Sequence, residues 1–197
     1  WERFLIIVVL SLVLVLVACG EKVAPVDKAD ISPADSNATA TLTILHTNDM
    51  HASLLPDDEG RGGWARLAQM IKQIRQESND VLVLDAGDMT QGSPVSTVFQ
   101  GVPIFAVMNA MGYDAATLGN HEFDNGVAMI ARFRKIADFP LVSANARLYD
   151  VLVADAADLI KTVNGIRIAI FGLITPSFVD ESPAIQGSGL TVADTIE

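Results

Sequence analysis

Three short stretches hold the residue types that chemistry needs. Asn120-His121-Glu122-Phe123-Asp124 sets an amide, an imidazole and two carboxylates close together. It lies between an apolar stretch ending at Leu118 and a helical pattern beginning near Gly126, so it reads as a strand-to-helix turn. Such a concentration of polar groups suits a metal or phosphate site. Asp49-Met50-His51 offers a hard carboxylate and a borderline imidazole, a workable metal pair; Asn48-Asp49 is also ordinary turn chemistry. The spacing of two is expected to place both side chains on one side of an extended segment. In Asp85-Ala86-Gly87-Asp88, Gly87 lets backbone come close and Asp88 is expected to point into the site. Asp85 reads as a turn former or outer support, Glu122 as structural, and His46, inside a strand, as a core or supporting histidine.

The elements that must position these residues alternate in type. Thr41 to His46 is β-rich, Trp64 to Glu77 repeats its apolar residues at helical spacing, and Val81 to Leu84 is an uninterrupted apolar run. Such a run suits a strand buried on both faces of a sheet. Gln91-Gly92-Ser93-Pro94 opens a helical region, and Val102 to Met111 is a short helix closed by Gly112. Ala115 to Leu118 reads as a third strand, Val127 to Ala137 as a helix ending before Pro140, and Leu141 to Ala144 as a fourth strand with Asn145 in its turn. Asp158 to Val163 and Ile166 to Ile174, joined by Asn164-Gly165, form the strongest hairpin signal. From Thr175 onward no pattern is legible. Strands alternating with helices imply an α/β core, and the three polar stretches all fall at strand ends, where open α/β sheets bind ligands.

Composition limits the partners. The chain has 197 residues, a formal net charge of −11 and one cysteine, Cys19. A disulfide framework is excluded, and an acidic surface does not suit nucleic acid. A small anionic ligand is compatible if a cation is bound locally. Residues 1–19 read as a signal peptide: Arg3, an apolar run from Phe4 to Val17, then small residues. Leu16-Val17-Ala18-Cys19 resembles a bacterial lipobox, with Cys19 the lipidation site and lipid-anchored export to the cell envelope, periplasm or outer surface the expected localisation. A plain signal or anchor with an incidental cysteine is the alternative. Residues 20–40 read as a flexible tether, and residues 41–197 as the N-terminal part of a catalytic-type domain.

Ile44 to Asp49, Asp85 to Asp88, Gln91 to Pro94, Met108 to Asp114 and Leu118 to Asp124 together resemble the bacterial 5′-nucleotidase family of the calcineurin-like metallophosphoesterases. Ser143-Ala144-Asn145 and Gly172 to Pro176 are similar to later stretches of it, so the resemblance runs from about Thr41 to Pro176. It implies an α/β sandwich of two β-sheets flanked by helices. It also implies two divalent ions (Mn, Zn, Fe or Co), with Asp49 and His51 on the first, Asp88 bridging and Asn120 on the second. His121 would stand by the phosphate as a catalytic group oriented by Asp124. The implied activity is hydrolysis of a nucleotide phosphoester by metal-activated water.

Members of that family complete the site with later histidines, usually a glutamine, and a C-terminal domain that recognises base and ribose. Here the histidines are His46, His51 and His121. The chain starts at Trp1 and ends at Glu197 within an apparent element, so it reads as an N-terminal fragment, incomplete at the C-terminus and inactive alone. The rival readings are a 2′,3′-cyclic phosphodiesterase/3′-nucleotidase, a thiosulfohydrolase of related fold, and a non-catalytic lipoprotein binding module.

Overall fold

The computed structural model describes residues 41–194. The expected signal, lipidation site Cys19 and tether lie outside the described residues. Four strands form a parallel sheet in the order β1 (Thr43–Thr47), β2 (Val81–Asp85), β3 (Ala115–Thr117), β4 (Leu141–Val142). In the register Thr47 lies opposite Asp85 and Asp85 opposite Ala116, so the strands end near one level and their following loops share one edge.

The helices follow from their apolar spacing. α1 (Trp64–Glu77) buries Trp64 and Ile71, and α3 (Val102–Met111) buries Ile104, Phe105, Met108 and Met111. Gly112 ends α3 in the left-handed conformation with its N–H on the carbonyls of Met108 and Asn109, the usual glycine stop. Between them α2 (Pro94–Val98) starts at Ser93, whose hydroxyl accepts the N–H of Ser96. α4 (Ala128–Ile136) buries Met129, Ile130 and Phe133, and Phe133 stacks on Phe105 with centroids 4.4 Å apart. Phe105, Phe133, Ile104, Met108 and Ile130 are almost wholly removed from water; at about 1.5–3 kcal/mol for each such side chain they anchor the helices to the sheet.

The later strands are antiparallel. β5 (Ala146–Leu148) lies between β6 (Val151–Leu152) and β9 (Leu190–Val192), while β7 (Asp158–Val163) and β8 (Ile166–Phe171) make the hairpin. Asn164 and Gly165 have φ of 49° and 76°, the positive pair that a two-residue hairpin turn requires.

Several expectations need correction. β8 stops at Phe171, not Ile174. A Cβ at Gly172 would lie 2.2 Å from the Thr117 hydroxyl and 2.3 Å from the Val142 carbonyl, so here the chain leaves the hairpin and passes against the parallel sheet. Asn145 is not a simple turn residue: it is buried, its side-chain N–H donates to the Ile174 carbonyl at 2.8 Å and its Oδ1 accepts the Ile174 N–H at 3.0 Å. The stretch after Thr175 contains α5 (Phe178–Glu181) and β9, elements too short to show a period. His46 is not a core residue; it is exposed on β1, opposite in sense to Leu45, which packs on the core.

Candidate metal centre

The first ligand loop is not extended, as the spacing of Asp49 and His51 suggested. Asp49, His51 and Ala52 have φ of 52°, 43° and 49°, so the chain coils left-handedly after β1. The N–H groups of Asp49, His51 and Ala52 donate to the carbonyls of Gly87, Asp88 and Met89 at 3.0, 3.0 and 2.9 Å. The loops after β1 and β2 are thus laced together by backbone. Asp88 and Gln91 are also left-handed, at 56° and 70°. Non-glycine residues hold that conformation only where the surroundings over-determine it, and such positions cluster at functional sites.

Glycines permit the close approach. A Cβ at Gly119 would fall 2.1 Å from Asp88 Oδ1, and one at Gly92 would fall 2.5 Å from the His51 carbonyl. With those contacts open, ligand-type atoms of His51, Asp88 and His121 lie within 4.8 Å of one another. The His51 and His121 rings meet edge to face with centroids 4.9 Å apart. Asp49 Oδ1 stands 4.0 Å from His51 Nε2 on the more exposed side. Asn120 is exposed at the start of the short 3-10 turn His121–Phe123. That turn brings Asp124 back onto His121, with Oδ2 2.8 Å from Nδ1. Asp88, His51 and His121 are therefore brought together, Asp49 and Asn120 flank them, and Asp124 sits behind the histidine.

The electrostatics suit a cation. Among the described residues no Lys or Arg forms an ion pair with Asp49, Asp85, Asp88 or Glu122. His51 Nδ1 is buried without a hydrogen-bond partner among the described residues. The His51 imidazole, the carboxylates and the Asn120 amide form a mixed N/O donor set, which fits a divalent transition ion, with His121 beside them. Burial alone would depress His121, but the bond to Asp124 and the charges of Asp124, Asp88 and Glu122 outweigh it and raise its pKa.

Two buried acids lie behind the site, in the supporting positions that the sequence suggested for Asp85 and Glu122. Glu122 accepts N–H groups from Asp88, Gly119 and Thr90 at 3.0, 2.7 and 3.0 Å. Asp85 accepts the Gly87 N–H at 2.8 Å and the Thr47 hydroxyl, which in turn bonds the Tyr113 phenol. Burial pushes Asp85 up to about 7 and Tyr113 up to about 12, and raises Glu122 as well. The only signal for these roles was position: each acid immediately neighbours a ligand motif.

A parallel sheet whose carboxyl edge gathers imidazoles and acids, with no Lys or Arg paired to them among the described residues, is the architecture of an α/β protein with a candidate metal centre. Residues 42–178 match the family Calcineurin-like phosphoesterase, and the chain belongs to it. It is 40% identical over 164 residues to the 5′-nucleotidase of Bos taurus, a match covering 75% of this chain and 28% of that protein. The chain therefore spans well under a third of that relative. Among solved structures it is similar to the 5′-nucleotidase precursor of Thermus thermophilus, with TM-score 0.71, 34% identity, and coverage of 78% of this chain and 32% of that one. The Haemophilus influenzae NAD nucleotidase gives TM-score 0.69 and 33% identity, covering 79% and 30%.

Proposed function

We propose that the protein to which this chain belongs is a metal-dependent phosphoester hydrolase acting on nucleotides. The observation that carries the reading is the convergence of His51, Asp88 and His121 at one sheet edge, flanked by Asp49 and Asn120. The nucleotide class is supported by the 5′-nucleotidase and NAD nucleotidase relatives.

In this reading Asp49, His51, Asp88 and Asn120 would hold two divalent ions. Such a pair supplies charge neutralisation at phosphoryl oxygens and a nucleophilic water at neutral pH. The chain's own contribution is orientation and proton control. Asp124 holds His121 Nδ1 at 2.8 Å, fixing the ring and favouring its protonated form. Nε2 would then be left to stabilise charge on the phosphoryl group or to deliver a proton to the leaving oxygen. Left-handed Asp49, His51 and Asp88 hold these groups before substrate arrives.

We further propose that residues 1–19 direct export, that Cys19 is lipidated, that residues 20–40 tether a phosphoesterase domain at the cell envelope, and that residues 41–197 do not suffice for turnover. The test is phosphate release by the full-length protein from a nucleoside 5′-monophosphate, a 3′-monophosphate and a 2′,3′-cyclic monophosphate, and sulfate release from a thiosulfate-derived substrate, each with and without Mn2+. Metal-dependent release from the 5′-monophosphate, lost in Asp88→Asn, is expected. No phosphate from any nucleotide would sink the proposal, and robust release by residues 41–197 alone would sink the last part of it.

A further inference from the structure

Asp88 is not held by its own side chain alone. Its loop is gripped along nearly every backbone group. The Gly87 N–H donates to Asp85 Oδ1 at 2.8 Å, the Asp88 N–H to Glu122 Oε2 at 3.0 Å and the Thr90 N–H to Glu122 Oε1 at 3.0 Å. The carbonyls of Gly87, Asp88 and Met89 face the other way and take the N–H groups of Asp49, His51 and Ala52. Glu122 Oε2 also accepts the Gly119 N–H at 2.7 Å, so one carboxylate joins the loop after β2 to the loop after β3. Asp88 Oδ1 returns the link by accepting the His121 N–H at 3.0 Å.

We infer that Glu122 and Asp85 are positioning residues: two buried carboxylates that set where Asp88 stands relative to His51 and His121 by holding the backbone of its loop. This rests on the metal-site reading above. Glu122 is 1% exposed and Asp85 4%, and neither is neutralised by Lys or Arg among the described residues. Buried unpaired carboxylates are costly and persist where their hydrogen bonds are needed. An ionised carboxylate is acceptor-only at both oxygens, so it alone among side chains of this length receives N–H groups on each side.

That chemistry predicts a graded response. In Glu122→Gln one terminal atom becomes a donor, so whichever way the amide lies it faces an N–H, either of Thr90 or of Asp88 and Gly119. In Asp85→Asn the amide oxygen still takes the Gly87 N–H, and the NH2 meets the Thr47 hydroxyl, which turns to accept it while donating to Tyr113. Asp85→Ala loses both.

The experiment is calorimetric Mn2+ titration of the full-length protein and its variants, with unfolding midpoints and amide hydrogen exchange at Asp88 and Gly119 in the metal-free state. Glu122→Gln and Asp85→Ala are expected to weaken Mn2+ binding roughly 10–100-fold, as other outer-support changes do, and to speed exchange at those amides. Asp85→Asn is expected to keep wild-type affinity. Ile71→Val, a core change on α1, is expected to lower the unfolding midpoint without changing affinity. Wild-type affinity and exchange in both Glu122→Gln and Asp85→Ala would overturn the inference alone. A wild-type protein that takes up no Mn2+ would overturn the metal-site reading and this role with it.

Discussion

At the amino end of β3, Asp114 meets its cations within the chain; at the carboxyl edge Asp49 and Asp88 meet no Lys or Arg among the described residues. Asp114 takes Arg75 Nη2 at 3.0 Å and Lys161 Nζ at 2.7 Å, and its Oδ2 also accepts the Val83 N–H at 2.9 Å. One carboxylate thereby staples α1, β2 and the β7–β8 hairpin. At the other edge carboxylates are packed against histidines and each other's loops, supported by N–H groups and left without Lys or Arg among the described residues. The backbone differs too. The hairpin alternates half-buried and exposed residues along regular strands, with positive φ confined to its Asn164-Gly165 turn, while the ligand loops place Asp49, His51, Ala52, Asp88 and Gln91 in the left-handed region. An acid with a resident partner stabilises the fold. An acid held by dipoles alone keeps its charge available for an ion.

That contrast is tested most severely by Gly119→Ala and Asp88→Asn. A Cβ at Gly119 overlaps Asp88 Oδ1, so the two substitutions are expected to converge, each weakening Mn2+ affinity of the full-length protein more than about 100-fold. Retained affinity in Gly119→Ala would show that the two loops need not touch.

The next effect appears as a pH dependence of stability. Burial raises Asp85 to about 7, so the folded state holds its proton to higher pH than the unfolded chain. This contribution is fully present below the ordinary carboxylate value and is lost as pH rises toward about 7, on the order of a few kcal/mol. Metal-free protein should therefore lose thermal stability between about pH 4 and pH 7, and Asp85→Asn should flatten that slope. A parallel slope in the variant would assign the dependence to other groups.

Asp114→Ala probes the opposite end. It strands the Val83 N–H and separates Arg75 and Lys161, each about one-third exposed. A loss of about 1–3 kcal/mol in denaturant unfolding is expected, with Mn2+ affinity unchanged. A fall in affinity would mean that the two ends are coupled. Gly165→Ala should be mildest: its Cβ meets no atom within 4 Å, and only the left-handed backbone at φ 76° is strained. About 1–2 kcal/mol of destabilisation is expected, against loss of the metal site for the same substitution at Gly119.

Sequence alone determined the elements with a clear period and which candidate site residues fall at strand ends. α1 spans Trp64–Glu77 and α3 Val102–Met111, as their apolar spacing predicts, and β2 is the buried apolar run. His121 and Asp124, three residues apart, are hydrogen-bonded, the pairing that the family resemblance implied. These features are local: periodicity, a glycine stop and a short turn are fixed by neighbours in the chain. Tertiary structure decided the rest. No spacing rule announces that Asp49 and His51 leave β1 in the left-handed region, because the cause is three N–H groups reaching the loop after β2. The short strands β5, β6 and β9 have no period to read and exist through pairing with one another. Glu122 read as structural in the sequence, but which groups it supports was settled only when folding brought the N–H groups of Asp88 and Thr90, more than thirty residues away in sequence, onto its carboxylate. Local patterns set which groups are present. The distances between them follow from long-range backbone contacts, which the order of residues in a single stretch does not encode.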